Sequence, residues 1–129
     1  MEIGPGYLLD THTLLWFWED DKKLSRAARD ILTSYIKAYV SMVSLWEIAI
    51  KAKLGRLQPL QESFVDLLKK QEFSLLPIEF AHVMKLQSLP LHHCDPFDRM
   101  LIAQAKCEKL AIMTTDVQFK PYDVKLLKA

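Results

Sequence analysis

The sequence is poor in cysteine and glycine, and it contains no long apolar run. Its two cysteines, Cys94 and Cys107, have no CxxC spacing and follow no secretory signal, so a disulfide framework is not expected and the reducing cytoplasm is the simpler location. With three glycines, the chain has no glycine-rich loop that would cradle phosphates. The densest apolar run, Leu14 to Trp18, is far shorter than the roughly 18 residues that cross a bilayer, so no membrane contact is expected.

Neither sign of charge is in excess. The chain has seventeen Lys and Arg residues and sixteen Asp and Glu residues, which gives a formal net charge of +1. The strong basic surplus that is typical of tight, sequence-independent nucleic-acid binding is therefore missing. An enzyme that holds its substrate partly through metal ions needs no such surplus, so the charge balance does not exclude a nuclease.

The 129 residues, half of them hydrophobic, predict one domain that spans residues 1–129 and buries its own core. Short apolar runs alternate with stretches of helical character. This alternation predicts an α/β fold, in which a parallel sheet is flanked by helices on both faces. Strands are expected at 7–9, 38–43, 73–78, 110–113 and 124–127, and helices at 11–19, after Ser25, at 44–53, around Phe64, at 79–86 and at 96–109.

Four acidic residues stand where a strand-like run gives way to a helix start or a turn: Asp10, Glu47, Asp98 and Asp116. Ligands of open parallel sheets bind outside the carboxyl ends of the strands, so we expect these side chains to converge. Carboxylates about 4 Å apart repel by roughly 4 kcal/mol per pair at an effective dielectric near 20, and a divalent cation relieves that repulsion. The pattern predicts a magnesium-dependent phosphodiesterase with one or two bound ions.

Taken singly, each acid also has a purely structural interpretation. Asp and Glu are favoured at helix N-termini by capping and by the helix dipole. Ser44 and Glu47 have the S-x-x-E spacing of a capping box, and Asp98 lies three residues after the potential cap Asp95. Capping alone therefore explains any one acid, whereas the joint placement favours a common site.

The segment His92-His93-Cys94-Asp95 is dense in possible zinc ligands. Adjacent side chains seldom supply a full tetrahedral set, and the spacings typical of zinc sites are missing. A loop whose Asp95 caps the next helix is the preferred interpretation.

The candidate acids lie in four short segments: Leu8 to His12, Val43 to Lys51, Asp95 to Ala105 and Met113 to Asp116. Together these segments resemble the PIN-domain family and, within it, the VapC-type toxins. The middle two are the most specific, and the match extends over nearly the whole chain. The resemblance implies a three-layer α/β/α sandwich around a central parallel sheet, and metal-dependent endoribonuclease activity.

Under this resemblance, Asp10, Glu47 and Asp98 match the three principal acids of the family, and Asp116 takes the place of the more variable fourth. All four are then expected to be catalytic residues and ligands of Mg²⁺ or Mn²⁺, with a metal-activated water as the nucleophile.

Five further residues complete the expected site. Thr11, Ser44 and Thr115 are expected to orient the carboxylates or the water, although ordinary capping and turn hydrogen bonds explain them equally well. Lys51, four residues after Glu47, and Arg99, beside Asp98, are expected to contact a phosphate backbone. A surface ion pair is the plainer explanation for Lys51.

The run Leu14 to Trp18 is more apolar than a small domain usually exposes, so part of it is expected to form a groove for a partner helix or a dimer contact. The resemblance implies both a cognate antitoxin and a homodimer. The expected function is that of a toxin endoribonuclease acting on RNA. The alternative is a non-catalytic PIN module that binds RNA or protein, but such a module has no need of these four charges, so the intact acidic set argues against it.

Overall fold

The computed structural model describes residues 6–34 and 36–129. At its centre lies a five-stranded sheet with strand order β3-β2-β1-β4-β5, in which every pairing is parallel. The strands are β1 (Tyr7–Leu9), β2 (Ala38–Ser41), β3 (Ser74–Leu76), β4 (Ala111–Thr114) and β5 (Leu126–Lys128). The helices are α1 (Thr11–Trp18), α2 (Arg26–Leu32), α3 (Met42–Lys53), α4 (Glu62–Lys70), α5 (Phe80–Ser88) and α6 (Pro96–Glu108), with a 3₁₀ turn at Val117–Phe119.

Helices cover both faces of the sheet. Successive strand residues point to opposite faces, so Leu8 and Leu9 enter two different hydrophobic clusters. Leu9 lies in the cluster that also takes residues of α1, α2 and α4, whereas Leu8 lies in the cluster built largely from α6. The predicted three-layer α/β/α sandwich is thereby confirmed.

Strand β1 occupies the centre of the sheet and pairs with both β2 and β4. The strand order reverses at β1, since β2 and β3 lie to one side and β4 and β5 to the other. Such a switch point opens a crevice beyond the carboxyl ends of the strands, where ligands of α/β proteins bind. Asp10 follows β1 directly, so the fold places it at this crevice.

Helix α3 begins earlier than the sequence predicted. The strand expected at 38–43 ends at Ser41, whose hydroxyl accepts a hydrogen bond of 3.0 Å from the backbone N–H of Val43 and so caps α3. Met42 is therefore the first helical residue, and Glu47 lies in the second turn. The capping box predicted for Ser44 and Glu47 was wrong, so helix capping does not explain Glu47.

The other helix boundaries follow local chemistry. Ser25 caps α2 by accepting from the N–H of Ala28 at 3.1 Å, and Asp95 caps α6, with Pro96 at the first helical position. Beyond the end of α3, Gly55 has a positive φ of 76°, a conformation that glycine adopts without strain. These signals were read correctly from the sequence.

The described residues contain neither a disulfide bond nor a helix fit to cross a membrane. Cys94 and Cys107 are both free thiols. Among the described helices, none combines the length and the apolar character that a membrane span requires.

Candidate metal centre

The four predicted acids, Asp10, Glu47, Asp98 and Asp116, line one cavity of about 170 Å³ at the carboxyl edge of the sheet. They come from the residue that directly follows β1, from α3, from α6 and from the turn after β4, so segments far apart in sequence meet there. The lining is completed by Thr11, His12, Lys51, His93, Asp95 and Gln118. The convergence expected from the strand ends is present.

Asp10 is buried and held by two donors. One carboxylate oxygen accepts from the backbone N–H of Thr13 at 2.8 Å, and the other accepts from the hydroxyl of Thr114, the last residue of β4. Burial raises the pKa of Asp10 above its usual range, and these hydrogen bonds oppose the rise. The carboxylate is thus fixed in place but costly to keep charged without a cation.

Glu47 is also buried, and both of its carboxylate oxygens are engaged. The Thr11 hydroxyl donates to Oε1 at 2.6 Å, and Lys51 Nζ lies 2.6 Å from Oε2. The Thr11 hydroxyl also lies 3.1 Å from Ser44 Oγ, which is fully buried. The structure therefore places Thr11, Ser44 and Lys51 around this one carboxylate.

Asp98 does not cap α6; instead, its own backbone N–H donates to Asp95 Oδ1 at 2.9 Å. Its Oδ2 lies 2.9 Å from His93 Nε2. Burial raises the pKa of Asp98 to about 6; the hydrogen bond from His93 opposes this, and repulsion by Asp95 and Glu47 adds to it. Near neutral pH the carboxylate is therefore charged in surroundings that favour a cation.

Asp116 begins the 3₁₀ turn after β4. Its Oδ1 accepts from the N–H of Gln118 at 2.9 Å, and its own N–H donates to the hydroxyl of Thr114 at 2.9 Å. One ligand atom each from Asp116, Asp98 and His93 lie within 4.8 Å of one another. Within residues 6–34 and 36–129, these three form the compact group that could hold a metal ion.

Two of the predicted residues lie elsewhere. Thr115 is exposed, and its neighbour Thr114 makes the contacts expected of it. Arg99 donates to the carbonyl oxygen of Pro90 at 2.9 Å and to the hydroxyl of Tyr122 at 3.1 Å, and it is not among the residues that line the cavity. The guanidinium therefore braces the loop before α6.

Three contributors to the site were not assigned to it from the sequence: Thr13, Thr114 and His93. The position of Thr114 was a usable signal, because it ends β4, and β4 is the neighbour of β1, the strand that precedes Asp10. The sequence indicates His93 only as a possible zinc ligand together with its neighbours. In the structure His92 packs edge-on against Tyr122, with ring centroids 5.1 Å apart, and Cys94 is exposed. His93 and Asp95 line the cavity, and His93 contacts Asp98.

The acids fit a hard divalent cation. Carboxylate oxygens are the protein ligands that Mg²⁺ and Mn²⁺ favour. Asp98 Oδ1 and Asp116 Oδ2 accept no hydrogen bond from any described residue, so each remains free to bind a metal. Burial raises the pKa values of Asp10 and Asp98, so a bound cation would offset the cost of keeping both carboxylates charged.

The match with a protein-family model agrees with this architecture. The model of the PIN domain matches residues 7–125, which is most of the chain. The protein therefore belongs to the PIN domain family. A comparison with the sequences of curated proteins gives no match.

Several solved structures share the fold. VapBC2 from Rickettsia felis, bound to a DNA fragment from its promoter, matches with a TM-score of 0.72 at 12% identity, over 94% of this chain and 96% of that chain. A toxin-antitoxin complex from Klebsiella pneumoniae matches at 0.68 and 14% identity, over 95% and 97%. DNA-bound VapBC from Salmonella typhimurium matches at 0.68 and 15% identity, over 95% and 97%. At these identities, the likeness shows a common fold.

Proposed function

We propose that the protein is a metal-dependent endoribonuclease that hydrolyses RNA phosphodiester bonds in the cytoplasm as the toxin of a toxin-antitoxin pair. One observation carries the proposal: Asp10, Glu47, Asp98 and Asp116, from four separate segments, line the same cavity. Membership in the PIN domain family supports the nuclease activity. The likeness to toxin-antitoxin complexes supports the biological role.

In this proposal the four acids hold Mg²⁺ or Mn²⁺. When bound, such an ion acidifies water and offsets the negative charge of the scissile phosphodiester. The threonines keep the acids in position: the hydroxyl of Thr114 orients Asp10, and that of Thr11 orients Glu47. Thr114 ends strand β4 and Thr11 begins helix α1, so both donors are held by the fold and the carboxylates are placed before any ligand arrives.

Lys51 is the residue that we propose to contact the RNA backbone. Its ammonium lines the cavity and pairs with Glu47. The cavity otherwise carries several carboxylates, which repel a phosphate. RNA binding at this site should therefore require divalent cations as well as Lys51.

The test is cleavage of a defined RNA by the wild type, by Asp98→Asn and by a control, Asp66→Asn, whose carboxylate is exposed on α4. We expect cleavage by the wild type and the control in Mg²⁺ or Mn²⁺. We expect no cleavage in EDTA and none by Asp98→Asn, whose folded state circular dichroism verifies.

Two outcomes would contradict the proposal. Cleavage that continues in EDTA and in Asp98→Asn would mean that the acids and the metal take no part in it. RNA binding without cleavage, tested across structured and single-stranded RNAs, would favour the non-catalytic binding module.

A groove on the opposite side of the molecule from α6 supports an antitoxin partner. A cavity of about 230 Å³ opens between α1, α3 and the start of α4, and it is lined mainly by apolar side chains. A short amphipathic segment of a partner fits such a groove through its apolar anchors. The lining includes Leu15, Trp18, Ile48, Leu60 and Phe64.

Expression in bacteria tests the toxin role and the groove. We expect the wild type to arrest growth when expressed alone and Asp98→Asn to be harmless. We expect Leu15→Glu to abolish capture of the antitoxin.

Helix α5 supports the proposed homodimer. Phe80, Val83 and Met84 recur at helical spacing on one of its faces, and Phe80 is 78% exposed. An apolar stripe of this kind is typical of a contact between subunits. Sedimentation analysis should give a dimer for the wild type and a monomer for Phe80→Ser. A wild-type monomer at micromolar concentration would contradict this part of the proposal.

A further inference from the structure

His93 lines the cavity beside the four acids, and the metal-binding role proposed above does not include it. Its Nε2 is 2.9 Å from Asp98 Oδ2, and its side chain is 12% exposed. Ligand atoms of His93, Asp98 and Asp116 all lie within 4.8 Å of one another. The imidazole therefore belongs to the same compact group of possible ligands as the two acids that keep a free oxygen.

The loop that carries His93 is firmly held. The backbone N–H groups of His92 and His93 donate to the hydroxyl of Tyr122 at 3.1 and 2.9 Å, and Tyr122 is 4% exposed. Arg99 donates to the same hydroxyl and to the carbonyl oxygen of Pro90. A buried anchor thus fixes the backbone that leads into His93, so the placement of this residue is built into the fold.

The plainer explanation is that His93 only donates a hydrogen bond to Asp98. The separation of the two atoms also suits a shared metal ion, because two ligand atoms each about 2.1 Å from one ion and at a right angle lie about 3 Å apart. For ligation, the neutral ring must carry its one proton on Nδ1 and present the Nε2 lone pair. A neutral ring that donates from Nε2 therefore releases that proton to solvent and takes one up from solvent at Nδ1. The direct ligand role and the hydrogen-bonding role make different predictions.

We propose that His93 is a direct ligand of the divalent ion held by Asp98 and Asp116, and that its imidazole makes this site favour Mn²⁺ over Mg²⁺. The inference rests on the metal-dependent function proposed above. Mg²⁺ strongly prefers oxygen ligands, whereas a nitrogen ligand favours transition-metal ions. One histidine among carboxylates therefore shifts the selectivity of the site.

The direct test is pulsed electron paramagnetic resonance of Mn²⁺ bound to the full chain. Wild type and a control, His92→Gln, should show the ¹⁴N coupling of a ligated imidazole, and His93→Gln should lose it. A second control, His12→Gln, removes the other histidine that lines the cavity and should keep the coupling. Wild type with bound Mn²⁺ and no imidazole coupling would overturn the inference, as would coupling that is lost with His12 and kept in His93→Gln.

Calorimetric titration separates ligation from positioning. His93→Gln retains an N–H donor for Asp98, so a pure positioning role would leave the ratio of the Mn²⁺ and Mg²⁺ affinities unchanged. Ligation predicts that this ratio falls about tenfold or more in the variant. Even if the variants unfold, a wild-type spectrum of bound Mn²⁺ without imidazole coupling overturns the inference.

The outcomes also separate this inference from the proposed function. RNA cleavage by a wild type that shows no nitrogen coupling overturns the role of His93 alone. Failure of the wild type to bind Mn²⁺ while it binds Mg²⁺ overturns the role of His93 alone, and failure to bind either ion overturns both.

Discussion

The hydroxyl of Thr114 donates a hydrogen bond to the carboxylate of Asp10 and so joins the end of β4 to the end of β1. The same hydroxyl accepts the backbone N–H of Asp116 at 2.9 Å. One side chain therefore orders two of the four acids. Since β1 and β4 are paired neighbours at the switch point of the sheet, the spacing of these acids is set by the sheet itself.

Replacing Thr114 by Val should destabilise the protein by about 1–3 kcal/mol, because the change leaves a buried carboxylate without one of its donors. The free energy of unfolding in urea measures this loss. The variant should also bind Mn²⁺ more weakly, since Asp10 is no longer held in one orientation.

Thr115→Val is the matched control. Its side chain is exposed, so the change should alter the free energy of unfolding by no more than about 0.5 kcal/mol. An equal loss in both variants would contradict the assignment of the supporting role to Thr114.

Stability without metal should fall as the pH rises through the acid range. The folded-state pKa of Asp98 is raised from 3.8 to about 6, so the folded protein binds this proton more tightly than the unfolded chain. Between about pH 4 and about pH 6, raising the pH therefore removes stability, and the loss is complete above that window. The raised pKa of Asp10 acts in the same direction.

Denaturation of the wild type and Asp98→Asn across this range checks the sign. The variant lacks the titrating group but keeps the histidines, so the difference between the two curves isolates Asp98. Added Mn²⁺ at neutral pH should raise the melting temperature of the wild type and have little effect on the variant. Parallel pH curves would mean that Asp98 titrates normally in the folded protein.

The positions of the acids could be predicted from the sequence because the carboxyl ends of parallel strands lie at the same edge of the sheet. The run Tyr7–Leu9 ends directly before Asp10, and β4 ends two residues before Asp116. The start of α3 was not readable, since Ser41 and Ser44 both precede apolar residues and both satisfy a capping pattern. Strand pairing fixes the start of the helix. Ser41 pairs with Leu76 of β3 and is the last residue of β2, so α3 begins at the next residue.

The sequence also did not reveal which side chains next to the acids point into the cavity. Adjacent residues in a helix point about 100° apart, so Arg99 turns away from the cavity that Asp98 enters. Thr114 and Thr115 are likewise neighbours, and only Thr114 turns toward Asp10. Sequence neighbours of a functional residue can therefore be placed near a site but cannot be assigned to it without knowledge of the direction of each side chain.

Arg99→Ala should act on stability rather than on RNA affinity. The guanidinium donates to Pro90 and Tyr122, so its loss should cost about 1–3 kcal/mol of folding free energy. Arg99→Lys should restore little, because an ammonium lacks the planar fork that reaches both acceptors. Urea unfolding measures the stability of both variants.

Arg56→Ala, which removes an exposed arginine, is the control and should leave stability nearly unchanged. RNA affinity, measured in Mn²⁺ at a temperature where every variant is folded, should be the same for Arg99→Ala and for the wild type. A large loss of affinity without a loss of stability would restore the substrate-binding role predicted for Arg99.

Lys51→Met tests the two proposed roles of this lysine, the ion pair with Glu47 and the contact with the RNA backbone. Nζ lies 2.6 Å from Glu47 Oε2, and the Glu47 side chain is 5% exposed, so the ammonium occupies a position beside a carboxylate that a divalent cation would also bind. Removing the ammonium should tighten Mn²⁺ binding severalfold, because the ion no longer competes with it, and should weaken RNA binding at saturating Mn²⁺. Lys53→Met, an exposed lysine at the end of the same helix, should change neither quantity. Weaker Mn²⁺ binding in Lys51→Met would mean that the ion pair orients Glu47 for the metal and does not compete with it.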